Sequence, residues 1–537
     1  MTPSRKRFRM EIMEINMKNK EWTSAAEKVI VRIFLILAAV VFTVIFCYSM
    51  METWENGWDL GDDTLYLKRD SLAGNILWLA VSLTVMWIVH KMYDKVSHKL
   101  DMRAVLGISC LLAGIFSIYW VGASNTEPQA DQWRLCDLAV AFDHGDCSGL
   151  AKGEYAGRNP HQLGLITIIR CLFRIFGENN YRAFQYFSAL LVPVILFSGF
   201  QIIKRITRDD ERAELYYLIL MLLCVPMYGY VPFVYGEICS TAFTMLTAWM
   251  VLDSLDKFSW IKTVALGITM GTAVLMRENT LIFLIAFLIV TAVRLLDNCR
   301  WKTAAIGISM ILGVVAGKAA IHSIYAPVTP EDSKAIPSVL YVVMGTNDER
   351  SGWHNMYHRE VFEACGFDPE LAARQGRADL ALFLEKCRKN PGYAADFYYR
   401  KMNTQWNEPM YQCLGMNNGI AGPQSPLAEK VYFGELRYGV LDFMNIYQLL
   451  VYGGVVCLLA AKGKRWVRIE NYILLIGVFG GFLFSLMWEA KTRYVFPYFI
   501  MMIPYAAIGI SEITGKVERD VGRNGKERSN PFIRKKQ

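Results

Sequence analysis

Charge is scarce in this chain of 537 residues: Asp, Glu, Lys and Arg make up 20% of it, while 54% is apolar and the mean hydropathy is +0.24. Soluble domains carry about 25% charged residues, so the shortage argues against a soluble globular enzyme and excludes a disordered chain. Cysteine spacings of the zinc-binding kind are absent. Many of the 12 cysteines, such as Cys47, Cys110, Cys224, Cys239 and Cys457, lie inside apolar runs, where Cys behaves as a small hydrophobe. Cys136 and Cys147 are close in sequence, and their spacing leaves a disulfide open. No glycine-rich phosphate loop stands between a strand and a helix, so no nucleotide-sugar site is expected. Repeats, low-complexity tracts and basic patches interleaved with aromatics are also missing, which leaves nucleic acid without a surface. A cleavable secretory signal is not expected either: the first apolar run begins near Val29, is long enough to span, and lacks a small-residue cleavage site.

What is present is a series of apolar runs of about 20 residues, each long enough to cross a ~30 Å hydrocarbon core as a helix. They fall at 29–48, 74–92, 104–122, 183–203, 214–229, 233–252, 259–276, 279–297, 303–322, 444–462, 470–488 and 494–513, predicting an all-α polytopic membrane protein of about twelve spans. The net charge of +8 sits entirely in the two tails, +3 over residues 1–28 and +5 over residues 516–537. Basic tails flanking apolar segments read as cytoplasmic anchors beside an anionic leaflet, with lipid as the partner. With both termini inside, the clusters Lys91/Lys95/Lys99/Arg103, Lys204/Arg205/Arg208/Arg212, Lys257/Lys262, Arg294/Arg300/Lys302 and Lys462/Lys464/Arg465/Arg468 all fall on the cytoplasmic side. The parity requires that 163–177, with Arg170 and Arg174 among apolar residues, lies in the interface. The expected organisation is a cytoplasmic tail (1–28), three spans (29–122), an outer loop with a juxtamembrane helix (123–182), central spans (183–322), a mainly helical extracytoplasmic domain (323–443), three more spans (444–513) and a second cytoplasmic tail (514–537).

Ionisable groups in membrane helices are costly and mark function, so their sidedness is informative. A transporter should hold them near mid-span. Here Asp131, Asp137, Asp143, Asp146, His161, Glu237, Arg277, Glu278, Glu489, Lys491 and Arg493 collect on the outer side, which favours chemistry at the outer membrane surface.

The outer loop runs Asp131-Gln132-Trp133, Phe142-Asp143-His144-Gly145-Asp146, Gly153-Glu154-Tyr155, Asn159-Pro160-His161-Gln162 and Arg174-Ile175-Phe176-Gly177. A carboxylate soon after a span, then a Gly turn, a Pro-led amphipathic segment and a basic-aromatic-Gly end, resembles the first outer loop of the GT-C glycosyltransferases. The likeness is to the branch holding the protein O-mannosyltransferases, the aminoarabinose lipid A transferase and bacterial relatives. In that superfamily the loop Asp is the general base toward the acceptor or orients it, which the resemblance carries to Asp131. Two departures stand out. The family commonly has Asp-Glu where this chain has Asp131-Gln132, and its Asp follows the first span rather than the third. Asp62-Asp63-Thr64-Leu65-Tyr66 does follow the first span and is a rival; Asp131 is preferred because only it is followed by the Gly, Pro and amphipathic features.

Tyr235-Gly236-Glu237 sits at an outer helix mouth, where a carboxylate can steady an acceptor, ligate a divalent cation or simply complement the helix dipole. Arg277 stands in a short outer hairpin, where the positive-inside rule disfavours it, so it needs a partner: a lipid-linked phosphate, or Glu278 or Glu237. Trp488-Glu489-Ala490-Lys491-Thr492-Arg493-Tyr494 with Pro497 resembles the late Arg-Tyr-x-x-Pro segment of the superfamily, which implies that Arg493 with Lys491 faces the donor phosphate and that Glu489 holds Arg493. Trp406-Asn407 and Asn417-Asn418-Gly419 combine an aromatic with amides, which suits sugar binding and a folded turn equally. The resemblance thus implies a polyprenyl-phosphate-sugar-dependent hexosyl- or pentosyltransferase acting on a glycan, lipid or protein at the outer face of the cell membrane. Its site would be Asp131 as the catalytic residue, with Glu237, Arg277, Lys491, Arg493, Tyr494 and His161 for substrate, and metal dependence is left open. A flippase or other transporter, and an O-antigen-type polymerase or ligase, are the alternatives.

Overall fold

The computed structural model describes residues 3–56, 65–96, 101–297, 301–462 and 468–529. The Asp62-Asp63 pair, Lys99, Arg300, Lys464, Arg465 and the end of the C-terminal tail lie outside them. In hydrocarbon each backbone donor and acceptor must be satisfied within its own segment, so the apolar runs become helices. In chain order the longer helices, apolar and polar together, are α1 (Pro3–Ser49), α2 (Leu72–Val96), α3 (Met102–Ser124), α4 (Asp131–Asp143), α5 (Leu163–Phe176), α6 (Tyr181–Thr207), α7 (Glu211–Leu223) and α8 (Glu237–Asp256). They continue with α9 (Trp260–Met276), α10 (Leu281–Asp297), α11 (Trp301–Tyr325), α12 (Pro369–Lys389), α13 (Pro391–Trp406), α14 (Leu436–Lys462), α15 (Ile473–Met487) and α16 (Thr492–Ser529). One antiparallel hairpin, β1 (Glu52–Asn56) with β2 (Leu65–Arg69), interrupts the helices and docks through Trp54 N on Asn407 O at 2.9 Å.

The all-helical polytopic architecture expected from the sequence is the one observed. Ten helices among the described residues are long and apolar enough to cross a membrane, and α9 is a shorter apolar helix of 17 residues. The run at 214–229 is broken instead of continuous: α7 ends at Leu223, Cys224 leaves the helical region (ψ 85°), and a short turn of helix covers Val225–Gly229. Pro226 is the reason, since it lacks the N–H that would bond the Leu222 carbonyl and its ring clashes with that carbonyl, so the helix stops and a new turn starts with proline near its first position. The segment α5 has 14 residues, about 21 Å of helix, less than the ~30 Å hydrocarbon core. Its Arg170 and Arg174 turn to a protein partner: both donate to Asp143 Oδ1, at 3.0 and 2.5 Å, and hold that carboxyl below its ordinary range.

The bundle is built around α16, whose apolar stretch is 89% enclosed, whereas that of α2 at the rim is 11% enclosed. Small residues permit the tightest helix pairs, as expected where lipid supplies no hydrophobic drive to association. At the crossing of α9 and α11, a Cβ on Gly313 would lie 1.9 Å from Gly267 O. Outside the bundle, residues 323–443 divide between two cores. Ile336, Leu340, Phe362 and Ala372 form a small cluster of their own, while Met402, Trp406, Met410, Tyr411, Cys413 and Leu414 join the main core. Side-chain hydrogen bonds tie that inserted stretch to the bundle: Trp406 Nε1 donates to Ser485 Oγ (3.2 Å), Gln405 Nε2 to Ser485 O (3.2 Å) and Gln448 Nε2 to Tyr411 OH (2.7 Å). Asn407 Nδ2 donates to Asn403 Oδ1 at 2.7 Å and Asn417 Nδ2 to Gly229 O at 2.9 Å, so these two amides act as fasteners.

Adding one methyl at the α9–α11 crossing is expected to force the helices apart. Gly313→Ala should destabilise the protein by about 1–3 kcal/mol, whereas Gly107→Ala in α3, where a Cβ meets nothing within 4 Å, should be neutral or slightly stabilising. Thermal unfolding in detergent micelles measures both; equal midpoints for the two variants would contradict the close crossing.

Candidate active site

Asp131 opens α4. Ala130 before it has a positive φ of 48° and caps nothing with its side chain, so the carboxylate stands in the first turn, at the favourable end of the helix dipole. Gln132 next to it is buried and fully used: its Oε1 accepts from Val234 N at 2.8 Å and its Nε2 donates to Met416 O at 2.9 Å. A glutamate could not donate the second bond while ionised, which accounts for the departure at this position. The Asp131 side chain remains 44% exposed, and its nearest cation is Arg493 Nη2 at 3.8 Å.

Arg277 leaves the end of α9 in extended conformation and meets Glu237 Oε1 at 3.3 Å. Their approach depends on Gly236, where a Cβ would lie 2.3 Å from Met276 O. Glu237 is 1% exposed and neither of its oxygens makes a hydrogen bond of good geometry, so Arg277 is its charge partner. Glu278, the other candidate for Arg277, is taken by Lys318. Tyr235 and Tyr494 lie between the two arginines: Arg277 stands 4.9 Å over Tyr235 and 5.6 Å over Tyr494, and Arg493 stands 5.3 Å over each. Gln162 Nε2 fixes the Tyr235 hydroxyl at 2.6 Å.

Glu489 does not hold Arg493 as an i, i+4 partner, because the helix begins only at Thr492. Its Oε1 meets His354 Nδ1 and its Oε2 accepts from Tyr494 OH, both at 3.0 Å, with Lys491 Nζ at 3.8 Å. Burial alone would raise this carboxyl, yet Lys491, His354 and Arg493 together hold it down to about 2. Burial beside His354 pushes His358 down to about 4.

Two cavities meet here. The larger, about 490 Å³, carries the basic side chains Arg158, His161, Arg277, Lys318 and His322 with the acids Glu278 and Glu489. The smaller, about 350 Å³, carries Asp131, Lys491, Arg493, His354 and His358. His161, Gln162, Tyr235, Tyr341, Glu489 and Tyr494 line both and form the shared wall.

The structure therefore brings Asp131, Lys491, Arg493, Tyr494 and His161 to one place, and Arg277 to the adjoining space. Glu237 lines neither cavity and sits behind Arg277. Among the described residues no three His, Cys, Asp or Glu side chains converge on a cation position, and both Asp131 and Glu237 face arginines. Cys136 and Cys147 are free thiols, Cys136 buried in α4. Arg158, Lys318, His322, His354 and His358 were not singled out from the sequence. A usable signal existed for Lys318 and His322, ionisable groups within an otherwise apolar run; none marks Arg158, His354 or His358, which are polar residues in polar segments.

Residues 161–316, less than a third of the chain, match the family of dolichyl-phosphate-mannose-protein mannosyltransferases, which is of the GT-C type. No curated protein matches the chain. Among solved structures, the Archaeoglobus fulgidus oligosaccharyltransferase in its apo form is similar at 14% identity and TM-score 0.43, over 79% of this chain and 52% of that one. The same enzyme tethered to an acceptor peptide containing the NVT sequon is similar at 13% identity and TM-score 0.40, over 79% and 50%. The chain spans about half the length of those proteins.

Removing one member of the enclosed ion pair leaves the other charge stranded. Arg277→Met should destabilise the protein by about 3–5 kcal/mol, and Glu237→Gln in the same chain should restore most of the loss. Unfolding midpoints in detergent check this; a single variant as stable as the double one would show that Arg277 does not hold Glu237.

Proposed function

We propose that this member of the GT-C superfamily of membrane glycosyltransferases moves one sugar from a polyprenyl-phosphate donor to a hydroxyl of a cell-envelope acceptor, at the outer face of the membrane. The observation that carries the reading is the pairing of the cavities: cations gather in one, a half-exposed carboxylate stands in the other, and the two share a wall. In this reading the donor phosphate lies against Arg277, Arg158 and Lys318, with its chain among the helices, and the acceptor enters beside Asp131. The acceptor oxygen forms a bond to the sugar's anomeric carbon while the bond from that carbon to the phosphate oxygen breaks, and the phosphate leaves with the electron pair. The acceptor hydroxyl's proton passes to Asp131 Oδ1 or Oδ2. Arginines fixed by Glu237 and by stacking on Tyr235 and Tyr494 need no rearrangement to meet the charge that grows on the leaving phosphate. The basic clusters on alternate loops support an orientation with both termini cytoplasmic and residues 323–443 outside.

Asp131→Asn keeps the shape of the side chain and removes the proton acceptor. Transfer should fall by about 10²–10⁴ without loss of folding, read by mass spectrometry of envelope glycans from cells carrying wild type, the variant or no gene. Glycans from the variant that match wild type would overturn the assignment. A cysteine placed at the exposed Arg377 should react with a membrane-impermeant maleimide in intact cells lacking other accessible thiols; reaction only after lysis would invert the topology.

A further inference from the structure

The smaller cavity holds a polar group that the transfer step leaves unused. His354 gives its Nδ1 to Glu489 Oε1 at 3.0 Å, and its ring, 35% exposed, lines the cavity that contains Asp131. An ionised carboxylate only accepts, so it fixes the proton on Nδ1 and leaves Nε2 as an acceptor. The position is built and not a loop accident. Ala490 N donates to Gly352 O at 2.8 Å, Trp353 bridges to Ala490, and Trp353 Nε1 donates to Thr404 Oγ1 at 3.0 Å. Lys401, wholly buried, donates to Gly345 O and closes the same loop from behind.

We propose that His354, aimed by Glu489, accepts a hydrogen bond from a second hydroxyl of the acceptor, and that the acceptor is a sugar residue of a glycan. The proposal rests on the transferase reading above. A serine or threonine side chain presents one hydroxyl, which the reaction consumes. A pyranose presents hydroxyls on neighbouring carbons, so one can give its proton to Asp131 while the next donates to His354 Nε2. The rest of the lining suits a sugar: Tyr155 and Met416 supply apolar surface, and Gln129 and Asn418 supply amides.

The test uses the full chain in lipid nanodiscs, with membranes from cells lacking the gene as the source of donor and unmodified acceptor. Mass spectrometry of the product is expected to show a new sugar-to-sugar bond. His354→Ala should raise the apparent KM for the acceptor fraction by about tenfold, the worth of one hydrogen bond, with a much smaller change in kcat, and His354→Gln should recover most of the loss. A structural defect would instead lower kcat and the unfolding midpoint together, with no rescue by Gln. A sugar attached to serine or threonine, or an unchanged KM in His354→Ala, overturns this proposal and leaves the transferase reading intact. A wild-type protein that neither transfers sugar nor releases lipid phosphate from the donor overturns both.

Discussion

Two tyrosine rings held between two guanidinium groups fix the geometry on which the site depends. Tyr235 and Tyr494 each have Arg277 and Arg493 within 6 Å, and each arginine reaches outward to a carboxylate, Glu237 for one and Asp131 for the other. Cations near an aromatic face gain more as they are desolvated, and a planar guanidinium both stacks and pairs. The arrangement lets two like charges share a small volume, because each has a ring face and an acid of its own. It also gives the two cavities a common wall and different characters.

The rest of the fold serves to bring these two tyrosines, two arginines and Asp131 together from distant parts of the chain. Tyr235 comes from the broken helix region after Pro226, Arg277 from the end of α9, Arg493 and Tyr494 from the start of α16, and Asp131 from the start of α4. Close backbone contacts make this possible at Gly236 and at the α9–α11 crossing, where a side chain would not fit. The stretch from Met402 to Leu414 then joins the core of the bundle, so that the loop carrying His354 and the segment carrying Glu489 rest on buried structure.

Much of the candidate site was legible in the sequence because charge inside or at the mouth of an apolar helix has few bland explanations. Arg277, Lys491 and Arg493 stood out in this way, Asp131 stood out by the Gly and Pro features that follow it, and the structure gathers them around two adjoining cavities. Partner assignments were less legible. Glu489 and Arg493 have helical spacing, but Glu489 precedes the helix and turns to His354 instead. Glu237 opens its helix, yet it faces Arg277 and not the cavities. Arg170 and Arg174 have the spacing of an interfacial basic face and are claimed by Asp143. Spacing along one element cannot reveal a partner contributed by another.

By itself the sequence determined the solvent of this protein and the side on which its polar groups collect, since apolar length and charge placement are one-dimensional properties that a bilayer reads directly. Only the tertiary structure decided which acid meets which arginine and how residues 323–443 divide between two cores. It also decided that His354 enters the site. Those outcomes depend on contacts between residues hundreds of positions apart, as between Asp131 and Arg493. Burial leaves each such charge little choice but to take whatever partner the packing delivers.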